Sequence, residues 1–191
     1  MAGIGRASTI TYLGGGRLKR EGGAPVREAR IMEHARAHGY PVPAVLELHD
    51  EYLVLERIDG PTMSEDLQLR PWRLARHART LAELHDRLHR IDHPDGGTLV
   101  HLDLHPENVL VPEDGPVVID WTNAGSGDPH VDNALTWVVL MTSGGIIGRL
   151  LGRRFARLLD VKMGLADAAA YRLADVNVTD DERTRVGRLL G

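Results

Sequence analysis

Residues 101–121 read HLDLHPENVLVPEDGPVVIDW, and this stretch decides how the rest of the chain is interpreted. It contains Asp103, then Asn108 five residues later, and it closes with Asp120. Two short apolar segments flank the turn PEDG, so the stretch predicts a β-hairpin. Such a hairpin would bring Asn108, before its first strand, close to Asp120, after its second strand.

These three polar side chains suit phosphoryl transfer, which requires positioning, charge neutralisation and a base for the attacking hydroxyl. One aspartate can accept the hydroxyl proton. An asparagine oxygen and a second aspartate can hold Mg²⁺, which prefers a few hard oxygen ligands. The joint spacing of the three residues favours this interpretation over one in which each merely caps backbone amides.

A metal site of another kind is the alternative chemical interpretation of the same stretch. His101, Asp103 and His105 alternate, so on a strand they would point the same way and bind zinc or iron. His85 and His89 lie four residues apart and would add ligands to such a site. The proline that follows His105 argues against a strand, and the simpler interpretation leaves His85 and His89 partly exposed on the flank of a helix.

The N-terminal third of the chain is predicted to contain four strands and a single helix. Three glycines at 14–16 predict a turn between two strands. Pro25 marks the start of a helix, and Gly39 marks its end. The order is therefore strand, strand, helix, strand, strand, over residues 9–13, 17–20, 25–38, 44–48 and 51–57.

Beyond the turn Asp59-Gly60-Pro61 the pattern becomes helical, and we place a lobe boundary there. Apolar residues recur at steps of three and four between 74 and 91, which predicts an amphipathic helix of about five turns. The chain after residue 132 is predicted to be mostly helical. Thr179 followed by Glu182 has the spacing of a capping box and opens the last helix.

Composition narrows the class of protein. The 191 residues contain 42% hydrophobic and 26% charged residues, ordinary values for a globular protein, and a net charge of −4 predicts no nucleic-acid partner. The absence of cysteine excludes disulfides and thiol catalysis. The N-terminus lacks the apolar core of a signal peptide, and no apolar stretch is long enough to span a bilayer, so we expect a soluble, cytoplasmic protein without a membrane partner.

The stretch H-x-D-x-x-x-x-N, the apolar hairpin and I-D-W resemble the catalytic and metal-binding loops of the protein-kinase-like superfamily. The following GSGDPHVDNAL resembles the aminoglycoside phosphotransferase and choline kinase branch of that superfamily. The resemblance implies an α+β, two-lobed fold. The N-lobe, residues 1–58, would be a small antiparallel sheet with one helix, and the C-lobe, residues 59–191, would be mainly helical.

The resemblance also implies roles for residues of the second lobe. Asp103 would be the catalytic base, and Asn108 and Asp120 would be the Mg²⁺ ligands. His101 would hold the loop structurally, and Asp132 would brace the catalytic loop from the following helix.

In the first lobe the resemblance implies an ATP site built in a fixed order. Gly5 and Ser8 would belong to the loop that covers the phosphates. Lys19 would reach the phosphates, and Glu28 would pair with Lys19 and orient it. The main chain at the end of the fourth strand would bind the adenine, through Glu56, Arg57 and Ile58.

The function implied is transfer of the γ-phosphoryl of ATP, with Mg²⁺, to a hydroxyl of a small molecule. A cationic acceptor would favour an acidic pocket, for which the late carboxylates Asp167, Asp175, Asp180 and Asp181 are candidates, and a second subunit in a homodimer could complete it. Two alternatives stay open. One is a protein kinase, although D-F-G and A-P-E are absent from the sequence, and the other is a non-catalytic nucleotide-binding protein.

Overall fold

The structure is a computed structural model that describes residues 9–190. An antiparallel sheet and one helix form its N-terminal part. The four strands are β1 (Thr9–Gly14), β2 (Arg17–Glu21), β3 (Val45–Leu48) and β4 (Tyr52–Glu56). Their order in the sheet is β1-β2-β4-β3.

Strand β2 runs through the sheet between β1 and β4 and presents two different faces. The turn before it has positive φ angles at Gly14, Gly15 and Gly16, which glycine adopts without steric cost. Because side chains alternate along a strand, Lys19 and Arg20 point to opposite faces. This alternation decides which cation reaches the site described below.

The helix of the N-terminal part is α1 (Pro25–Ala37). Pro25 occupies its first turn, where no hydrogen bond from the proline nitrogen is needed. The helix gives way to Gly39, whose φ is +75°. Its inner face buries Ala29 and Met32 in the core that also holds Leu53 of β4.

The remainder of the chain is mainly helical, with two small antiparallel pairs of strands. The pairs are β5 (Thr98–Val100) with β8 (Gly125–Gly127) and β6 (Val109–Leu110) with β7 (Val117–Val118). The helices are α2 (Met63–Leu69), α3 (Leu74–Leu88), α4 (Pro129–Thr142), α5 (Gly145–Phe155), α6 (Leu165–Ala174) and α7 (Asp180–Leu190).

Helix α3 supplies the central layer of the core. It buries Ala78, Leu81, Leu84 and Leu88 at helical spacing and packs against α5. The α4–α5 corner is tight, because a Cβ on Gly144 would lie only 2.7 Å from the Cα of the glycine four residues later. Within residues 9–190, none of the helices combines the length and the apolar character needed to cross a membrane.

The predicted order of elements is confirmed, and the differences are local. Helix α3 ends at Leu88, one turn earlier than predicted, although Ile91 stays buried in the turn that follows. The sequence analysis missed α2, a seven-residue helix with a capping box between Thr62 and Glu65. The predicted fold class, α+β with a small sheet and a helical remainder, is confirmed, while the boundary at residues 58/59 stays a prediction.

The predicted capping box at the last helix forms only in part. The backbone N–H of Glu182 donates to Thr179 Oγ1 at 3.2 Å. The Glu182 carboxylate turns away to accept from Arg172 Nε at 2.8 Å and from Thr142, so it joins α7 to α6 and α4 instead.

Candidate active site

The predicted hairpin places Asn108 and Asp120 at one end of a cleft between the sheet and the helical part. Val109 pairs with Val118, and the N–H of Ile119 donates to the carbonyl of Asn108 at 3.0 Å. Both polar residues line this cleft, which has a volume of about 580 Å³. The cleft is also lined by Leu18, Arg20, Glu28, Leu55, Glu56 and Ile58.

Asp103 lies beside the hairpin and is held by its neighbours. Asn108 Nδ2 donates to the Asp103 carbonyl at 2.9 Å and to its Oδ2 at 3.1 Å. His105 Nε2 lies 3.3 Å from Oδ1. The carboxylate keeps about a quarter of its surface exposed, at 27%, so an acceptor can reach it.

The pKa of Asp103 lies below its ordinary value. Burial disfavours the charged form, but the hydrogen bond and the electrostatic interaction with His105 outweigh burial. Asp103 is therefore ionised at neutral pH, which is the state that a proton acceptor requires.

A buried ion-pair network lies at the end of the cleft that contains Asp120. Arg20 contacts the Glu28 carboxylate with Nη1, and its Nη2 donates to Asp120 Oδ1 at 2.9 Å and also contacts Thr122 Oγ1. The Thr122 hydroxyl in turn donates to Asp120 Oδ1 at 2.7 Å. Arg20 and Glu28 are 6% and 3% exposed, and burial raises the pKa of Glu28 although Arg20 opposes that rise.

The prediction that Lys19 pairs with Glu28 was wrong, and strand alternation is the reason. Lys19 lies on the opposite face of β2, where its Nζ is 2.8 Å from Glu21 and 4.2 Å from the ring centre of Tyr52. It is not among the residues that line the cleft. The next residue, Arg20, occupies the position expected of Lys19 because a shift of one residue exchanges the faces of a strand.

Helix α4 clamps the loop that carries Asp103. Asp132 Oδ1 accepts from the N–H of Leu102 at 2.7 Å, and its Oδ2 accepts from the N–H of His101 at 3.2 Å. One turn later, the Thr136 hydroxyl donates to the carbonyl of Leu104 at 2.6 Å. The bracing role that the resemblance implied for Asp132 is therefore observed.

The two helix histidines serve this clamp, and the expected partial exposure was wrong for His85. His85 is fully buried, and His89 is only 10% exposed, with its Nε2 2.9 Å from Asp132 Oδ2. Together they hold the pKa of Asp132 far below its ordinary value, in spite of burial. Helix α3 directs His85 and His89 toward α4. The apolar periodicity of α3 alone does not show which helix lies against that side.

The alternative zinc or iron site required His101, Asp103 and His105 to lie on one face of a strand. The segment is a loop and not a strand, so this arrangement is not observed. His101 is buried against the Trp121 ring, with ring centres 5.0 Å apart, and burial lowers its pKa. Among residues 9–190, the one trio with metal-ligand spacing is His85, His89 and Asp132. The Asp132 oxygens in that trio already accept loop amide hydrogens, so we interpret it as a structural hydrogen-bond network.

Backbone conformation marks the same site. Outside glycine, positive φ angles within the described residues occur at Leu102 and Asp120, at 61° and 59°. This region costs a residue other than glycine about 1–2 kcal/mol. The Asp132 hydrogen bond holds Leu102 there, while Arg20 and Thr122 hold Asp120.

A second, smaller cavity of about 220 Å³ is lined by Asp103 and shares Asp120 with the cleft, and we call it the polar cavity. Asp103, His105, Tyr171, Arg172, Asp175 and Asn177 are among its lining residues. Of the four late carboxylates considered for an acidic pocket, Asp175 alone lines it. Its charge is balanced by Arg172 Nη1 at 3.2 Å.

The remaining predicted residues are placed as follows. Glu56 and Ile58 line the cleft, although the Glu56 carboxylate accepts from the N–H of Ala44 at 3.0 Å. Gly5 and Ser8 lie outside the described residues. Arg20 and Thr122 were not predicted from the sequence, and His105 was considered only as a metal ligand and not as a partner of Asp103. The one available signal was the presence of His105 in the same H-x-D-x-H run.

The donor set of the cleft fits Mg²⁺. The hydrogen bonds that Asp120 accepts from side chains within residues 9–190 all reach Oδ1, which leaves Oδ2 for a cation. Asn108 directs its Nδ2 to Asp103, so its amide oxygen points elsewhere. A carboxylate and an amide oxygen are hard ligands of the kind that Mg²⁺ prefers.

Comparison with known proteins follows this geometry. The family model described as "Phosphotransferase enzyme family" matches residues 17–99 and 94–173. None of the curated proteins compared with the chain matches it.

Several solved structures share the fold. A thermostable mutant of aminoglycoside phosphotransferase APH(4)-Ia, in a ternary complex with AMP-PNP and hygromycin B, gives a TM-score of 0.62 at 16% identity over 88% of this chain and 83% of that chain. The gentamicin–APH(2")-IIa complex gives 0.62 at 15% identity over 90% and 79%. A choline/ethanolamine kinase family protein from Mesorhizobium loti gives 0.62 at 18% identity over 95% and 88%. At these identities the likeness shows the fold.

Proposed function

Because the chain belongs to the phosphotransferase enzyme family, we propose that it transfers the γ-phosphoryl group of ATP to a hydroxyl group of a small molecule, with Mg²⁺ as its metal ion. The observation that carries the proposal is the convergence of Asp103, Asn108 and Asp120 around one short hairpin beside an open cleft. The AMP-PNP and hygromycin B complex of a protein with the same fold supports the choice of nucleotide and of acceptor class.

The nucleotide would lie in the 580 Å³ cleft. Leu18 and Leu55 offer apolar surface for the adenine, and the main chain near Ile58 offers hydrogen-bonding groups at the edge of β4. Arg20, anchored by Glu28, would present its guanidinium to the phosphates. A planar guanidinium suits phosphate oxygens because it can donate two parallel hydrogen bonds.

Magnesium, when bound, would neutralise the charge that develops on the phosphate oxygens. Asn108 and Asp120 would hold it with one amide and one carboxylate oxygen. Arg20 now contacts Asp120, so its guanidinium would exchange part of this contact for the phosphates when the nucleotide enters.

The transfer step assigns one role to Asp103. The acceptor oxygen attacks the γ-phosphorus while the bond from that phosphorus to the bridging oxygen breaks, and ADP leaves with the electron pair. The hydroxyl proton passes to the Asp103 carboxylate. His105 and Asn108 fix that carboxylate, which orients its free lone pairs toward the polar cavity.

The protein-kinase alternative is not favoured. Helix α4 begins at Pro129, only nine residues after Asp120, and β8 occupies three of the residues between them. A loop able to present a polypeptide acceptor has no room in that segment.

Titration calorimetry with AMP-PNP, with and without Mg²⁺, tests the proposal. We expect Mg²⁺-dependent binding that is lost in Asp120→Ala and kept in Asp103→Asn. Binding that ignores both Mg²⁺ and Asp120→Ala would refute the metal assignment. No binding under any condition would refute the nucleotide site itself.

A further inference from the structure

A larger cavity adjoins the polar cavity at the catalytic loop, and we call it the apolar cavity. It has a volume of about 640 Å³ and lies among α2, α4, α5 and the residues around His105. This size falls in the range of about 300–1,000 Å³ that is typical of small-molecule sites. The two cavities share His105, Val139 and Arg172 as lining residues, so they are adjacent, and Asp103 lines the polar one.

The walls of the apolar cavity are mostly aliphatic. Leu67, Leu140 and Leu151 form its buried floor, and Ile146 at its rim is 72% exposed. Further apolar contacts come from Val139 and Ile147.

Charged groups are sparse in this cavity. Arg172 is already engaged by Glu182 at 2.8 Å and by Asp175 at 3.2 Å. Of the residues described as lining the cavity, the one carboxylate is the exposed Glu107. A cationic group placed against the aliphatic floor would lose water without gaining a partner, which is unfavourable.

We propose that the acceptor is an amphiphilic alcohol, whose hydroxyl lies at Asp103 and whose apolar body fills the apolar cavity. This inference rests on the proposed phosphotransferase function and adds the chemical class of its acceptor. The division of labour follows from the walls: the polar cavity binds the hydroxyl-bearing end, and the aliphatic surface of α2, α4 and α5 binds the rest. The reaction is the transfer already described, with an alkyl-bearing phosphate monoester and ADP as products.

The direct test is calorimetric titration of 1-butanol, 1-hexanol and 1-octanol into the full chain saturated with ADP and Mg²⁺. Each buried methylene should strengthen binding about threefold to fourfold. With its four additional methylenes buried, octanol should therefore bind roughly 80- to 250-fold more tightly than butanol. An affinity that does not change with chain length would overturn the proposal.

Two variants locate the binding. Ile146→Asp puts a charge at the rim, and Ser143→Phe places a ring inside the cavity, since Ser143 is exposed on its wall. Both should remove most of the dependence on chain length. Leu150→Asp is the matched control, because Leu150 is on the same helix, is 46% exposed and does not line the cavity. If the control weakens octanol binding as much as Ile146→Asp does, the site is elsewhere and the proposal fails.

AMP-PNP binding measured on the same proteins without ADP separates this inference from the proposed function. Loss of nucleotide binding in the wild type would count against the phosphotransferase proposal itself. Intact Mg²⁺-dependent nucleotide binding together with chain-length-independent alcohol binding would overturn the acceptor class alone.

Discussion

Asp103 is the proposed proton acceptor, and its replacement isolates that role. Asp103→Asn keeps the shape and the contact with Asn108 but cannot accept a proton. We expect ATP turnover, with water or an added alcohol as acceptor, to fall by about 10²- to 10⁴-fold. Calorimetry should show AMP-PNP affinity within about twofold of the wild type, which is too small a change to reflect lost nucleotide contacts.

Turnover by Asp103→Asn at the wild-type rate would show that another group accepts the proton. Asp167→Asn is the control, since Asp167 is on α6 and does not line the polar cavity. It should leave turnover unchanged.

Arg20 and Lys19 give a second comparison at the scale of the residue. Arg20→Ala leaves Glu28 buried without its partner, and we expect a loss of about 3 kcal/mol in the free energy of unfolding, together with weaker AMP-PNP binding. Lys19→Ala removes a partly exposed pair with Glu21 and should have a much smaller effect on stability and on AMP-PNP binding. Urea unfolding and calorimetry check both, and equal effects of the two variants would contradict the assignment of Arg20.

These residues also show what the sequence could and could not predict. The spacing of Asp103, Asn108 and Asp120 was sufficient to predict that these residues lie close together, because a short hairpin leaves few ways to arrange them. The choice between Lys19 and Arg20 depended on the facing of one strand, which neighbouring cations in the run RLKR do not specify. Only the sheet pairing of β2 with β4 settles it.

At the scale of the element, helix α2 depends on its cap. The Thr62 hydroxyl accepts from the N–H of Glu65 at 3.1 Å, and the Glu65 carboxylate accepts from the N–H of Thr62 at 2.8 Å. Thr62→Ala should lower the free energy of unfolding by about 1 kcal/mol, or Tm by about 2–4 °C for a chain of this size. Ser64→Ala in the same helix is the control and should change Tm by less than about 1 °C.

This helix was missed because its signals are short-range and weak. Seven residues allow barely two turns, too few for an apolar periodicity to stand out from MSEDLQL. The long helix α3 was predictable because its apolar face repeats over four turns. Likewise, the clamp from α4 required knowledge that α3 and α4 meet at Asp132.

At the scale of the whole molecule, stability should depend on pH through two buried aspartates. Burial of the Asp66 carboxyl disfavours its charge, but His77, Arg70 and Arg73 outweigh burial and lower its pKa to about 2. The pKa of Asp132 is lowered as well. Because both folded-state pKa values lie below the unfolded value of about 3.8, their contribution is complete above that pH and is lost as the pH falls through the folded values.

We therefore expect the urea concentration at the unfolding midpoint to decrease as the pH is lowered from 5 to 2.5. Glu28 acts in the opposite sense, because its raised pKa makes the folded state hold a proton more tightly and weakens stability as pH rises through that value. Asp66→Asn should be less stable at pH 7 and should show a shallower acid dependence. A variant curve parallel to that of the wild type would exclude Asp66 as a source of acid sensitivity.

The clamp of α4 on the catalytic loop has a consequence for the exchange of hydrogen with solvent. The peptide hydrogens of His101 and Leu102 are covered by a carboxylate that is itself fully buried. They can exchange with deuterium only when the loop separates from α4, so their exchange rates report that local opening. In Asp132→Asn the two hydrogens should exchange faster than those of the β2–β4 ladder. Such a difference would show that the loop opens locally and independently of the sheet.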